Sequence, residues 1–211
     1  MVTIGDIKLD VFIALDKCNH KCTLKGGKLT FEFGEKISVS VQDQQIAGSA
    51  PNVAVALSRM DKTTAVVSHM GEDLTHELAL KFLHSQNVAT RFIKTHRGTQ
   101  SAYSAVFNLK GEKTILASYI DKKYYLPKQL KTRWLYLSEM GAGYETLYSN
   151  IIKHIRKQRT LLGFNPGNQQ IAELKPILYR LIKKTSVLFV NVQEGKRLIK
   201  NSRVRITTLA E

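Results

Sequence analysis

The run Ala47-Gly48-Ser49-Ala50-Pro51-Asn52, followed by Thr64-Ala65-Val66-Val67-Ser68 and then Gly71-Glu72-Asp73, decides the fold class of this 211-residue chain. A small-residue turn lets the backbone approach a neighbour closely, and Pro51 suits the first turn of a helix. The helix predicted over 52–60 carries Val53, Ala56, Leu57 and Met60 on one stripe, and residues 64–68 read as a buried strand. Asp73 is placed to cap the next helix, which has Leu74, Leu78, Phe82 and Leu83 on its apolar face and Glu77 near the positive end of its dipole. Strands and helices in alternation argue for a parallel sheet.

Working outward, residues 2–15 alternate Ile7, Leu9, Val11 and Ile13 and read as one strand. Short β-prone runs separated by turn residues over 22–41 predict a small meander projecting from the main body. A second hairpin is predicted over 101–119, with Tyr103, Ala105, Phe107 and Leu109 on one side, able to pair with the first. The strand–helix rhythm then resumes: a strand at 134–137, a helix over 145–159, a strand over 160–164, a helix over 171–182 that Pro176 breaks or restarts, a strand over 187–190 and a short helix over 194–199. The expected architecture is a single α/β domain over 1–211, a doubly wound and mostly parallel sheet flanked by helices. Two hairpin excursions at about 16–46 and 100–119 form a β lid on it.

Composition agrees with a folded core, since 43% of residues are hydrophobic. Charges interrupt the N-terminal stretch and no apolar run approaches spanning length, so neither a signal peptide nor a membrane span is expected, and the reading is cytoplasmic. Cys18 and Cys22 with His20 fall short of a four-ligand zinc site and are expected to be reduced thiols in a hairpin. The net charge of +15 is concentrated beyond residue 150, where 13 Lys or Arg face three Glu. Such a face attracts phosphates of any kind, or it is simply the solvated side of amphipathic helices. No aromatic RNA-binding signature, zinc finger or recognition-helix pattern accompanies it, so nucleic acid is not the expected partner.

In an open parallel sheet, ligands bind beyond the carboxyl ends of the strands. Several loop positions there are polar without packing requiring it: Asp10 after Gly5, Gly48 and Asn52 in the turn, Asp73 after Gly71, Asn165-Pro166-Gly167, and Asn191 with Glu194. Taken in order, these resemble the ribokinase-like, or PfkB, family of sugar kinases, with Asn191-Val192-Gln193-Glu194 as its Asn-x-x-Glu motif.

The resemblance implies a sugar or nucleoside substrate. Asp10, an acceptor-only carboxylate, would take hydrogen bonds from hydroxyls, Gly48 would let the backbone close on the sugar, and Asn52 would bond a further hydroxyl. Asn191 and Glu194 would support the water shell of a magnesium ion near the transferred phosphate. Each also has a plainer explanation: Asp10 as a strand end, Gly48 and Asn52 as a tight turn, Asp73 and Asn191 as helix caps. Ala47 replaces the first glycine of the family's usual pair, and His76 stands where a glycine is common.

The same resemblance implies that ATP and Mg2+ serve the complete family member through a Gly-Ala-Gly-Asp segment carrying the catalytic base. No such segment occurs here: Gly141-Ala142-Gly143 is followed by Tyr144 and precedes the Asn-x-x-Glu motif, while 204–211 resemble the start of the nucleotide-site strand. The expectation is a C-terminally incomplete kinase, with no catalytic residue assigned, that binds neither ATP nor Mg2+ tightly and is inactive alone. A non-catalytic sugar-binding remnant and a basic nucleic-acid-binding protein are the alternatives. Homodimerisation through the β lid is also expected, as is an apolar sheet face and unpaired strand that invite self-association.

Overall fold

Where the sequence predicts one strand over 2–15, the chain makes two and changes sheet between them. In the computed structural model, which describes residues 1–16 and 21–199, β1 (Val2–Ile4) lies in the main sheet and β2 (Lys8–Ala14) in a second one. The break falls at Gly5, where an added Cβ would stand 2.0 Å from Ser138 Oγ, so only glycine lets β1 pass this close to the neighbouring strand end. The apolar phase shifts there, from Val2 and Ile4 on even positions to Ile7, Leu9, Val11 and Ile13 on odd ones, a break that the one-strand expectation passes over.

The main sheet adds β6 (Thr64–Gly71), β7 (Val88–His96), β10 (Trp134–Leu137), β11 (Leu161–Phe164) and β12 (Val187–Leu188). Its order is β12-β11-β10-β1-β6-β7, and every pairing is parallel. β6 is buried along its whole length, as a parallel strand covered on both faces should be. β7 had no counterpart in the sequence reading: Arg91 and Lys94 interrupt its apolar run, which an edge position tolerates. β1 sits at the centre with β6 on one side and β10 on the other, so the strand order reverses there. That reversal opens a crevice beyond the carboxyl end of β1.

Alternate residues of β6 enter two different cores. Ala65 and Val67 join Leu135, Leu137 and Phe164 under α3 (Glu145–Gln158), α4 (Asn168–Glu173) and α5 (Pro176–Ile182). Val66 and Met70 pack with Ala54 and Leu83 of α1 (Ser49–Ser58) and α2 (Leu74–Ser85). The doubly wound α/β expectation therefore holds. Pro176 does restart the helix: α4 ends at a left-handed Leu174 (φ 46°) and Pro176 opens α5, where its missing N–H costs nothing.

The second sheet has the order β5-β2-β8-β9, built from β5 (Ser40–Ala47), β8 (Ala102–Leu109) and β9 (Glu112–Ala117) around β2. The lid thus begins at Lys8, and its two excursions meet through the parallel β2–β8 pairing. A separate two-stranded hairpin, β3 (Cys22–Lys25) with β4 (Lys28–Phe31), projects from it. In β8 the buried side is Ala102, Ser104 and Val106, and the Tyr103 side is the more exposed one. Cys22 is disulfide-bonded rather than reduced; the expectation rested on compartment, not on geometry. Cys18, and residues 204–211 with their resemblance to a nucleotide-site strand, lie outside the described residues. After β12 the chain enters α6 (Val192–Leu198). No described helix is long and apolar enough to cross a membrane.

Candidate functional site

The crevice beyond β1 is a pocket of about 300 Å3 walled by both sheets. Asp10 of β2, Ser104 of β8 and Ala117 of β9 line it from the lid, and Gly48, Ser49 and Asn52 line it from the start of α1. Glu139 follows β10 and Asn168 follows β11, so the strand ends supply the rest. Asp10, Gly48 and Asn52, predicted separately along the chain, therefore stand together.

Gly48 is required by two constraints at once. Its φ of 121° lies where side chains are strained, and an added Cβ would meet the Asp6 carbonyl oxygen at 2.2 Å. The turn is thus pressed against the segment that carries β1 into β2. Its carbonyl accepts the Asn52 N–H at 3.0 Å, closing the first helical turn with Asn52 at the pocket wall.

The electrostatics centre on three residues that sequence reasoning passed over. Lys8 is only 5% exposed, yet it lines the pocket, with Nζ 3.2 Å from Glu139 Oε1 and 4.4 Å from the Tyr119 ring centroid. Burial alone would lower its pKa, but Glu139, Tyr119 and Asp6 outweigh that and hold it raised, so the ammonium stays charged. Asp6 is buried against the Tyr124 hydroxyl. Desolvation pushes its carboxyl up to about 6, against the opposing pull of Tyr124 and Lys8. A signal was present: Asp6, Lys8 and Asp10 fall on alternate positions, which is the same side of an extended chain. Glu139 and Asn168 carry no such pattern and become visible only when the strand ends converge.

Asp73 does not reach this pocket. Its Oδ1 caps α2 by accepting the His76 N–H at 3.0 Å, and its carboxylate also accepts the Ser101 N–H at 2.6 Å and the Ser101 hydroxyl at 2.8 Å. Asn191 and Glu194 are likewise engaged as a capping box for α6. Asn191 Oδ1 accepts the Glu194 N–H at 2.9 Å and Glu194 Oε2 accepts the Asn191 N–H at 2.8 Å. Both line a different and larger groove, of about 1220 Å3, along with Val53, Trp134, Tyr136 and Phe189. This groove is an open, apolar trough over the sheet, on the face that α1 leaves uncovered beyond β1. β12 forms the sheet edge there, and Val187, Leu188 and Phe189 are exposed along it. The β11 loop connects the two cavities: Asn165 lines the groove and Asn168, three residues on, lines the pocket.

Gly141-Ala142-Gly143 serves packing. The Gly141 N–H donates to the Tyr124 hydroxyl at 2.8 Å, and Tyr144 is buried with its hydroxyl on Glu173. Among the described residues, no group of three or more His, Cys, Asp or Glu converges as a metal site.

The structure superposes on Arabidopsis thaliana ribokinase, solved with ribose and ATP, with a TM-score of 0.76 at 16% identity, covering 99% of this chain and 65% of that one. It matches ribokinase from Cryptococcus neoformans var. grubii, in complex with ADP, at 0.72 and 18% identity over 99% and 64% of the two chains. A Burkholderia thailandensis nucleoside kinase in complex with inosine gives 0.73 and 13% over 99% and 66%. The chain thus spans just under two thirds of the length of these structures. No curated protein matches it significantly in sequence. The sequence does match the profile of the pfkB family of carbohydrate kinases over residues 12–210, nearly its whole length, and the chain belongs to that family.

Proposed function

We propose that this chain carries the acceptor-binding side of a sugar or nucleoside kinase. The convergence of Asp10, Gly48 and Asn52 on one pocket at the carboxyl ends of the central strands supports this most directly. Asp10 accepts hydrogen bonds from hydroxyls, Asn52 donates to or accepts from another, and the side-chain-free Gly48 lets the sugar approach the turn. ATP is the phosphoryl donor in this reading, and its phosphates would enter from the groove that shares the β11 loop. Asn191 and Glu194 are engaged in capping α6, so these two do not by themselves make a magnesium site, and the ion would arrive with the nucleotide. When bound, Mg-ATP supplies the transferable phosphoryl group, and the chain's own residues position the acceptor hydroxyl.

These residues contain no Gly-Ala-Gly-Asp run, and the nearest analogue is committed to packing. Loss of a general base costs about 10²- to 10⁴-fold in rate. We therefore propose that the 211 residues bind acceptor without phosphorylating it at a useful rate. Isothermal titration with pentoses, hexoses and nucleosides tests the first claim: saturable heat is expected, reduced at least about tenfold by Asp10→Ala with folding intact. Heat that is indifferent to Asp10→Ala would remove the assignment. Magnesium-dependent turnover of ATP by the chain alone would remove the second claim. The lid is the proposed homodimer surface, supported by exposed Leu24, Phe33, Val41 and Leu116. A concentration-independent monomer in light scattering would exclude it.

A further inference from the structure

The charge lining the acceptor pocket is unbalanced in a way that selects among substrates. Among the described residues Lys8 is the one cation in the lining, against two carboxylates, Asp10 and Glu139. A lysine in such a pocket ordinarily invites a phosphate or carboxylate. This one is already spent: Glu139 holds the ammonium at 3.2 Å, the Tyr119 ring lies 4.4 Å from it, and little of the side chain is open to solvent. Asp6, buried behind the same lysine, adds a further negative group on that side.

We propose that the Lys8–Glu139 ion pair makes this pocket selective for an uncharged, hydroxyl-rich acceptor and shuts out sugars that already carry a phosphate or carboxylate. The inference rests on the acceptor-site reading above. A hydroxyl has a proton to give and lone pairs to fill, and the ion pair offers a carboxylate acceptor and an ammonium donor side by side. An anionic substituent finds no uncommitted cation among the described residues and faces Asp10 and Glu139 at close range, where like charges repel more strongly than in water. Lys8 and Glu139 thus act as specificity determinants.

Matched probe pairs test this by isothermal titration of the intact chain: D-ribose against ribose 5-phosphate, and D-fructose against fructose 6-phosphate. In each pair that binds, the neutral sugar is expected to bind at least about tenfold more tightly. Glu139→Gln frees the Lys8 ammonium without changing side-chain volume, and should move the phosphate-to-neutral affinity ratio about tenfold or more toward the phosphate. Equal or tighter binding of the phosphorylated member by the unmodified chain overturns the proposal, as does an unchanged ratio in a folded Glu139→Gln protein. The comparison on the unmodified chain decides the matter even if the variant does not fold. Absence of binding for every sugar, neutral or phosphorylated, would overturn the acceptor-site reading along with it, whereas a preference for phosphate would leave that reading standing.

Discussion

The Tyr124 hydroxyl lies 3.1 and 3.0 Å from the two carboxylate oxygens of Asp6, to which it donates, and accepts the Gly141 N–H at 2.8 Å. One buried phenol thus joins the segment that leaves the lid, the end of β1 and the loop after β10. Those are the pieces whose relative position shapes the pocket, since Lys8 follows Asp6 and Glu139 precedes Gly141 by two residues each.

Tyr124→Phe keeps the ring and deletes the link. It strands a buried carboxylate and a buried N–H, and should cost about 2–3 kcal/mol of unfolding free energy. The Tyr124 hydrogen bond pulls the Asp6 pKa down, so its loss raises that pKa further and the penalty is larger at pH 8 than at pH 5. Urea titrations at both pH values check this; a loss that is equal at the two would show that Tyr124 acts only by packing.

Gly48→Ala combines left-side backbone strain with a contact against the Asp6 carbonyl. The expected loss is about 3 kcal/mol or more, with acceptor binding lost even where the protein still folds. Gly98 is the control, because its φ of +66° is also positive but nothing lies within 4 Å of an added Cβ. Gly98→Ala should cost only about 1–2 kcal/mol. Thermal denaturation of the pair separates collision from conformational cost, and equal losses would mean that the Asp6 contact yields.

How much of this was legible in the chain depends on which physical signal each residue leaves. Gly48 and Asn52 announce themselves through turn chemistry at a helix start, and Asp10 through its place in a family pattern. Lys8 leaves only its place on the same side of the chain as Asp6 and Asp10, and Glu139 leaves none, because a charged residue looks solvated until distant strand ends close around it. The passage of the chain from β1 to β2 left only a change of apolar phase between Ile4 and Ile7, which a three-residue β1 makes easy to overlook, and Gly5 marks it only once Ser138 is seen beside it. β7 was missed because Arg91 and Lys94 sit on an edge that tolerates them. Asp73 and Asn191 had two readings each. Their hydrogen bonds show both working as caps.

Asp73→Ala removes the α2 cap and both contacts to Ser101, which fix the entry into β8. A cost of about 2–3 kcal/mol at neutral pH is expected. Burial would raise the Asp73 pKa, but the Ser101 and His76 hydrogen bonds outweigh it and hold the pKa low. The stabilisation is therefore present above the unfolded value of 3.8 and fades as pH falls through the lower folded value. The variant and the parent should converge in stability in acid. Urea midpoints that stay apart below pH 3 would assign the effect to packing.

Asp6 behaves with the opposite sign. Its carboxyl titrates near 6 in the fold against 3.8 when unfolded, because burial penalises the charge more than Tyr124 and Lys8 repay it. The folded state then binds the proton more tightly, so the contribution of Asp6 is greatest in acid and is lost as pH rises through about 6. Asp6→Asn retains an acceptor for Tyr124 and removes the titration. Between pH 5 and pH 7 the stability difference between parent and variant should change by about 1 kcal/mol, the parent gaining on the acid side. Other carboxylates and His69, whose pKa burial and His96 lower to about 4, shape the absolute curve of both proteins alike and cancel in that difference. A difference that stays flat across the range would place Asp6 in ordinary contact with water.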